Sequence, residues 1–175
     1  MTVKLKNEEL NRMSVEEFVH ARKFPVVLLL DNVRSLHNVG SVFRTADAFL
    51  IEELVLCGVT GTPPNKEIEK TALGATSSVK WSHSKTTLDA VNQLKDRGYS
   101  VYGVEQAQNS VSLPQFKYSA EKIALVFGNE VYGVEQEVID NCAAVIEIPQ
   151  AGTKHSLNIS VSVGVVLWEL LRGKI

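Results

Sequence analysis

Five consecutive apolar residues, VVLLL at positions 26–30, constrain the fold of this chain more than any other feature. A strand with one face in water alternates apolar and polar side chains, whereas a strand covered on both faces is apolar throughout. Comparable runs recur at LVLCG (54–58), IALVFG (123–128) and AAVIEI (143–148). The pattern predicts a sheet that is covered on both faces.

Segments with helical signals separate these strands. Thr86 or Thr87 is placed to cap one segment and Gly98 to end it, and Ser14 with Glu17 forms a capping box in the first segment. The predicted helices cover residues 7–23, 38–49, 66–73, 86–98, 134–141 and 157–172, and two further strands cover 78–83 and 99–105. This alternation predicts an α/β fold, a mostly parallel sheet with helices on both faces.

The composition is that of a single folded unit. The chain has 175 residues, 45% hydrophobic and 22% charged, which is enough apolar material for one core without disulfide or metal support. Pro25 separates a mixed-charge N-terminal helical extension, residues 1–24, from the α/β domain, residues 25–175. The extension either binds a partner or only packs on the domain.

Composition also bears on location and metal content. No apolar run approaches the roughly 20 residues that cross a bilayer, and the N-terminus lacks the apolar core of a signal peptide, so we expect a cytoplasmic protein without membrane contact. Cys57 and Cys142 form no CxxC pair, so we expect reduced thiols and no metal site. With a net charge of −2, any nucleic acid would be held by a local basic surface.

Polar, glycine-containing sequence follows three of the predicted strands. Motif loops 1, 2 and 3 are DNVRSLHNVGSVFRTADAF (31–49), GNEVYGVEQE (128–137) and PQAGTKHSLNIS (149–160). Ligands of parallel α/β sheets bind beyond the carboxyl ends of the strands, so these loops form the candidate site. None of them contains the GxGxxG or GxxxxGK[ST] pattern of nucleotide-binding proteins.

Loop 1 places several polar residues near the start of a helix. Asn38, Ser41 and either Thr45 or Arg44 share one face at helical spacing. A helix N-terminus attracts anions and disfavours a cation, so Arg44 in the first turns indicates a phosphate or carboxylate ligand. The alternative is a structural salt bridge from Arg44 to Asp47 or Asp31.

Loops 2 and 3 add further candidates. Gly128 permits close backbone approach to a ligand, and Glu130 is either a general base or a hydrogen-bond acceptor. Ser156 adjoins His155, but the missing GxSxG pattern argues against acyl transfer. Asn158 is placed to hydrogen-bond the start of the last helix.

Taken together, HNVGSVFRTADAF, FGNEVYGV and IPQAGTKHSLNISVS resemble the three motifs of the SpoU, or TrmH-like, branch of the SPOUT RNA methyltransferases. The motifs occur in the family's order, and the resemblance extends over residues 25–172. Gln150 departs from the usual Met after Ile-Pro, and Val131 from the common Gly after the Glu. These departures affect the detail of cofactor contacts rather than the activity.

The resemblance implies a C-terminal trefoil knot and a homodimer that completes the active site. It also implies transfer of a methyl group from S-adenosylmethionine to a ribose 2′-hydroxyl of tRNA or rRNA. Arg44 would contact the target hydroxyl or its adjacent phosphate, and Asn38 would position the Arg44 loop. Glu130, together with Ser156 or Asn158, would orient the ribose and the knot. The residues implied to hold the cofactor are Val104, Gly128, Ile148 and Leu157.

Two alternatives remain at this stage. One is an RNA-binding member of the same family without transferase activity, against which intact Arg44, Glu130 and Asn158 speak. The other is a nucleotide-binding α/β domain, against which the missing GxGxxG counts. For RNA, the candidate basic residues are Lys4, Lys6, Arg12, Arg22, Lys23, Arg34 and Arg44.

Overall fold

The computed structural model describes residues 1–117 and 121–175, and within these ranges seven strands form one sheet. The strands are β1 (Phe24–Asp31), β2 (Ile51–Cys57), β3 (Trp81–Ser84), β4 (Ser100–Val104), β5 (Val111–Ser112), β6 (Ile123–Phe127) and β7 (Ala144–Glu147). Their order is β3-β2-β1-β6-β4-β7-β5, and every pairing is parallel. The predicted parallel sheet is confirmed.

Helices connect the strands. They are α1 (Val15–His20), α2 (Leu36–Ala48), α3 (Lys66–Ala72), α4 (Ala75–Ser78), α5 (Thr87–Asp96), α6 (Gln136–Asp140) and α7 (Ile159–Leu171). Two 3₁₀ turns, Asn7–Leu10 and Leu113–Gln115, complete the described elements. Thr86 caps α5, as its sequence predicts.

Strand β1, in the interior of the sheet, contributes to two separate cores. On β1, Val26, Leu28 and Leu30 belong to the larger core, whereas Val27 and Leu29 belong to the smaller one. Successive side chains of a strand point to opposite faces, so the two cores lie on opposite sides of the sheet. Buried residues of α1, α2, α3, α4 and α7 join the larger core and those of α5 and α6 the smaller. Helices therefore cover both faces, as predicted.

The N-terminal segment differs from its prediction. The continuous helix over residues 7–23 is wrong, because Asn11 has a left-handed φ of 48° and separates the first 3₁₀ turn from α1. The predicted Ser14–Glu17 capping box is present at the start of α1. Pro25 does not precede the first strand but lies in β1, where the register with β2 shifts between Phe24 and Val27.

Three other boundaries shift for local reasons. Ser78 ends α4 instead of starting a strand, because its hydroxyl bonds back to the carbonyl of Ala75. The helix expected from residue 134 begins at Gln136, because Glu135 has a non-helical ψ of 138° and is the N-cap residue. The last helix covers Ile159–Leu171, and β5 with its following 3₁₀ turn was not predicted.

Residues 1–117 and 121–175 contain neither a membrane-spanning helix nor a cluster of metal-binding side chains. None of the helices there has both the length and the hydrophobicity needed to cross a membrane. No cluster of three or more His, Cys, Asp or Glu side chains in those ranges could hold a metal ion. Both cysteines are free thiols, and burial raises the pKa of Cys57 to about 12.

Candidate active site

The strand order brings the three motif loops to one edge of the sheet. β6 lies between β1 and β4, and β7 pairs with the other side of β4. Because the strands are parallel, their carboxyl ends point the same way, and the following loops begin side by side. Residues far apart in sequence are therefore neighbours there.

Glu130 of loop 2 binds the backbone of loop 1. Its Oε1 accepts from the Ser35 N–H at 3.1 Å and from Asn38 Nδ2 at 3.0 Å, and its Oε2 accepts from the Arg34 N–H at 3.2 Å. Ser35 caps α2, so this carboxylate holds the segment that leads into the helix. Glu130 acts here as a hydrogen-bond acceptor.

The charge state of Glu130 follows from the same contacts. Burial is the largest influence and would raise the pKa of this carboxyl. Hydrogen bonds from the Asn38 side chain and from the backbone of Glu130, Arg34 and Ser35 together outweigh it and lower the pKa below its ordinary value. The side chain is therefore a carboxylate at neutral pH.

Asn38 joins loop 1 to loop 3 as well. Its Oδ1 accepts from Asn158 Nδ2 at 3.0 Å, while its own Nδ2 donates to Glu130. Asn158 caps α7, as the sequence predicts, because its Oδ1 accepts from the Ser160 N–H at 2.9 Å. The chain of side chains Glu130–Asn38–Asn158 thus ties the three motif loops together.

Arg44 lies further along α2 than predicted. The helix begins at Leu36, two residues before the expected start, so Arg44 occupies the third turn and not the first turns, where it was expected. The prediction that Arg44 opposes the helix dipole at an N-terminus is therefore wrong. The side chain is exposed and makes no hydrogen bond or ion pair with any described residue.

The salt bridge considered for Arg44 does not form either. Asp47 instead accepts a hydrogen bond from Ser78 Oγ. Asp31 is buried and accepts from Thr87 Oγ1 and from the Glu135 N–H. Both carboxylates hold structural hydrogen bonds, which leaves the Arg44 guanidinium available to a ligand.

A cavity of about 560 Å³ opens between loops 2 and 3 and the end of β4. Ligand sites of small molecules have volumes in this range. The four predicted cofactor residues line this cavity: Val104, Gly128, Ile148 and Leu157. Three of the predicted catalytic residues line it as well: Glu130, Ser156 and Asn158. Asn38 and Arg44 are not among the lining residues.

The packing of loop 2 requires glycine at position 128, apart from any approach of a ligand. A Cβ atom at this position would lie 2.1 Å from the carbonyl carbon of Gly133 and 2.2 Å from the nitrogen of Val134. Side chains essentially never approach a backbone so closely, so loop 2 can fold over itself only with glycine here. Any larger residue at position 128 would displace the wall of the cavity.

Comparison with known proteins bears on this site. The model of the SpoU rRNA Methylase family matches residues 25–168, which include all three motif loops. The chain belongs to the SpoU rRNA methylase family. The tRNA (guanosine(18)-2′-O)-methyltransferase of Thermus thermophilus is 31% identical over 170 residues, covering 95% of this chain and 84% of the relative.

Two other proteins that are similar to this chain are longer than it. An uncharacterized tRNA/rRNA methyltransferase of Borreliella burgdorferi is 32% identical over 146 residues, which are 83% of this chain and 63% of that protein. The crystal structure of an AdoMet-bound rRNA methyltransferase from Sinorhizobium meliloti superimposes with a TM-score of 0.82 at 29% identity, covering 94% of this chain and 62% of that one. This chain thus spans less than two thirds of both proteins.

Two residues of this SpoU site, Asn129 and Glu105, were not predicted from the sequence. Asn129 Oδ1 accepts from the N–H groups of Val131 and Tyr132, and its Nδ2 donates to the carbonyl of Asn32. Glu105 Oε2 accepts from the Val134 N–H at 3.1 Å. Both are polar residues that directly follow a strand or its glycine, and that position was the available signal.

The basic residues predicted to bind RNA in this SpoU chain differ in whether their side chains already have partners in the protein. Lys23 donates to the carbonyl of Phe18 and lies 4.3 Å from the centre of its ring, so it packs the N-terminal segment onto the core. The side chain of Arg34, like that of Arg44, is exposed and makes no hydrogen bond or ion pair with a described residue. Arg34 directly precedes the Ser35 cap that Glu130 holds.

Proposed function

We propose that this protein transfers the methyl group of S-adenosylmethionine to a ribose 2′-hydroxyl of tRNA or rRNA. The Glu130–Asn38–Asn158 chain carries the proposal, because it joins the three motif loops beside the 560 Å³ cavity. Membership of the SpoU family and the 2′-O-methyltransferase activity named for the Thermus relative support the same reaction.

The cavity suits S-adenosylmethionine in size and lining. Val104, Ile148 and Leu157 supply apolar wall for an adenine, and Gly128 leaves backbone accessible on the opposite loop. When bound, the cofactor supplies a methyl group on a positively charged sulfur, which is already activated for displacement. The protein therefore needs to align the reactants, and the proposed reaction needs no metal ion.

Arg44 is the proposed contact to the phosphate beside the target ribose. Its planar guanidinium matches a phosphate with two parallel hydrogen bonds and stays charged at any physiological pH. Because it holds no ion pair with residues 1–117 or 121–175, no such pair has to break when RNA binds. The same cation would stabilise negative charge that develops on the attacking 2′-oxygen.

The other predicted catalytic residues take positioning roles in this proposal. Both oxygens of Glu130 already accept backbone hydrogen bonds and its pKa is low, so it anchors loop 1 rather than acting as general base. Asn38, which donates to Glu130, also accepts a hydrogen bond from Asn158 and so connects loop 1 to loop 3. Ser156 is exposed on the cavity wall, where its hydroxyl could orient the ribose.

The active form is proposed to be a homodimer. Val161, Val165 and Trp168 form an exposed apolar stripe on α7, with Trp168 59% exposed. Val165 and Trp168 also line an apolar groove of about 370 Å³ with Leu113 and Pro114. Contiguous apolar surface of this kind is a typical protein interface, and a second copy would cover it.

The same proposal includes the trefoil knot and the location. The knot is proposed from the family resemblance, and residues 155–159 line the same cavity as loop 2. Because tRNA and rRNA are the proposed substrates, we propose a cytoplasmic protein.

Residues 1–24 would be an extension packed on the 25–175 domain through Phe18.

The direct test is methyl transfer to RNA. Total RNA from a strain that lacks this gene is incubated with the protein and tritiated S-adenosylmethionine, then digested to nucleosides. The proposal expects tritium in a 2′-O-methylnucleoside. Label in a base-methylated nucleoside, or RNA binding with no label, would contradict it, and the second result would favour the inactive RNA-binding alternative.

A further inference from the structure

We propose that Tyr132 is a stacking platform for a nucleobase of the RNA, beside the ribose that is methylated. The inference rests on the proposed function and adds a residue that reads the substrate. Tyr132 lies on loop 2 and lines the mouth of the 560 Å³ cavity together with Glu130 and Ser156.

The first argument is exposure. Tyr132 is 86% exposed, the highest value for an aromatic side chain among residues 1–117 and 121–175. The other strongly exposed aromatic there is Trp168, which belongs to the apolar stripe of α7. An aromatic ring left in water offers a large apolar face that a flat partner can cover.

The second argument is rigidity. Loop 2 closes on itself through reciprocal backbone hydrogen bonds between Asn129 and Gly133, at 2.9 and 3.0 Å. Asn129 Oδ1 also accepts from the N–H of Tyr132 at 3.2 Å. The ring thus extends from a backbone that is already ordered, so stacking costs little further conformational entropy.

The third argument is the charge nearby. Glu130, two residues before Tyr132, holds the backbone of Arg34, whose guanidinium is exposed and without a described partner. A nucleotide presents a flat base on one side and a phosphate on the other. An aromatic ring and a cation on adjoining loops are therefore the pair of groups that single nucleotides require.

The experiment compares Tyr132→Ala, Tyr132→Leu and Tyr132→Phe, with Leu73→Ala, at an exposed apolar residue that does not line the cavity, as the control. Steady-state methyl transfer is measured against total RNA from a strain that lacks the gene, and calorimetry measures the Kd for S-adenosylmethionine. Stacking predicts that the Ala and Leu variants raise the KM for RNA about fivefold to a hundredfold. The Phe variant and the Leu73→Ala control should match the wild type, and the cofactor Kd and the Tm should not change.

Two outcomes would contradict the stacking role of Tyr132. One is an unchanged KM for RNA in Tyr132→Ala. The other is an equal KM for Tyr132→Leu and Tyr132→Phe, which would mean that side-chain volume rather than the aromatic ring matters. If the wild type transfers no methyl group, the proposed function fails instead, and binding is then measured with a fluorescein-labelled 12-nucleotide RNA and its abasic counterpart. The platform predicts a preference of the wild type for the base-containing RNA that Tyr132→Ala removes. Equal affinities in the wild type would contradict it.

Discussion

Glu130 and Asn38 are joined by a hydrogen bond of 3.0 Å from the amide Nδ2 to the carboxylate Oε1, across 92 positions of sequence. The bond spans two loops that follow neighbouring strands, β6 and β1. Asn38 passes the link to Asn158 on the third loop. One carboxylate therefore helps to hold loops 1 and 3 in position beside the cavity.

The Glu130 carboxylate should make stability depend on acid pH. Its pKa is lowered in the folded protein, so its contribution is present above the ordinary carboxyl pKa of about 4.3 and is lost as the pH falls through the lower folded value. Glu130→Gln should lower the Tm at neutral pH and flatten the fall of Tm in acid. Differential scanning calorimetry over this range measures both effects.

Glu137→Gln is the control for that series, because Glu137 is exposed in the first turn of α6. It should reproduce the wild-type dependence of Tm on pH. If Glu130→Gln and Glu137→Gln behave alike, the carboxylate at position 130 does not hold loop 1.

S-adenosylmethionine should bind without RNA, because both walls of the cavity belong to the folded chain. Leu157→Ala removes apolar wall and should weaken the cofactor Kd about tenfold by calorimetry. Leu10→Ala, at a leucine that is likewise 39% exposed and does not line the cavity, should leave the Kd unchanged. Equal affinity of both variants would remove Leu157 from the cofactor site. Replacement of Gly128 is a poor probe, since any Cβ there collides with backbone.

Arg34 and Lys23 should differ in their effect on RNA affinity. Arg34 is free of described partners, whereas Lys23 contacts the Phe18 carbonyl and ring. Arg34→Gln should therefore flatten the slope of log K against log salt by about 0.7 to 0.9, and Lys23→Gln should leave it unchanged. Fluorescence anisotropy of labelled tRNA at several salt concentrations measures the slopes. A flatter slope for Lys23→Gln alone would assign RNA binding to the N-terminal segment instead.

Trp168 is expected to lie in the interface between the two chains of the proposed homodimer. Trp168→Asp puts a charge into the apolar stripe of α7, so multi-angle light scattering should change from the mass of two chains to that of one. Leu10→Asp, on the exposed first 3₁₀ turn, is the control and should remain dimeric. A wild type with the mass of one chain and full methyl transfer would contradict the homodimer.

The sheet and most of the site loops could be predicted because buried strands and glycine-rich loops leave local signals. VVLLL is apolar at every position since β1 faces a core on each side. The helix start at Leu36 could not be predicted, because the segment before it is held by Glu130, a residue distant in sequence. Local spacing favoured Asn38 as the helix start, but that side chain bridges loops instead.

The same limit explains the residues that were missed. Asp31 was considered only as a partner of Arg44, yet it is fully buried and accepts from Thr87 and from the Glu135 backbone. Those donors lie 56 and 104 positions away, and no local pattern announces them. The single helix over residues 7–23 failed because the left-handed backbone of Asn11 interrupts a segment with good helical signals.

The most direct test of the account is the methyl-transfer rate of Arg44→Ala. An exposed arginine without an ion pair adds little to folding, so the Tm and the cofactor Kd should stay close to the wild type, while the rate should fall about tenfold to a thousandfold. Arg44→Lys should recover little, because an ammonium lacks the planar pair of donors. Lys122→Ala, at an exposed cation that precedes β6 at the opposite end of that strand from loop 2, should have no effect on the rate. Full turnover by Arg44→Ala, with or without a lower Tm, would contradict the assignment of Arg44 to the reaction.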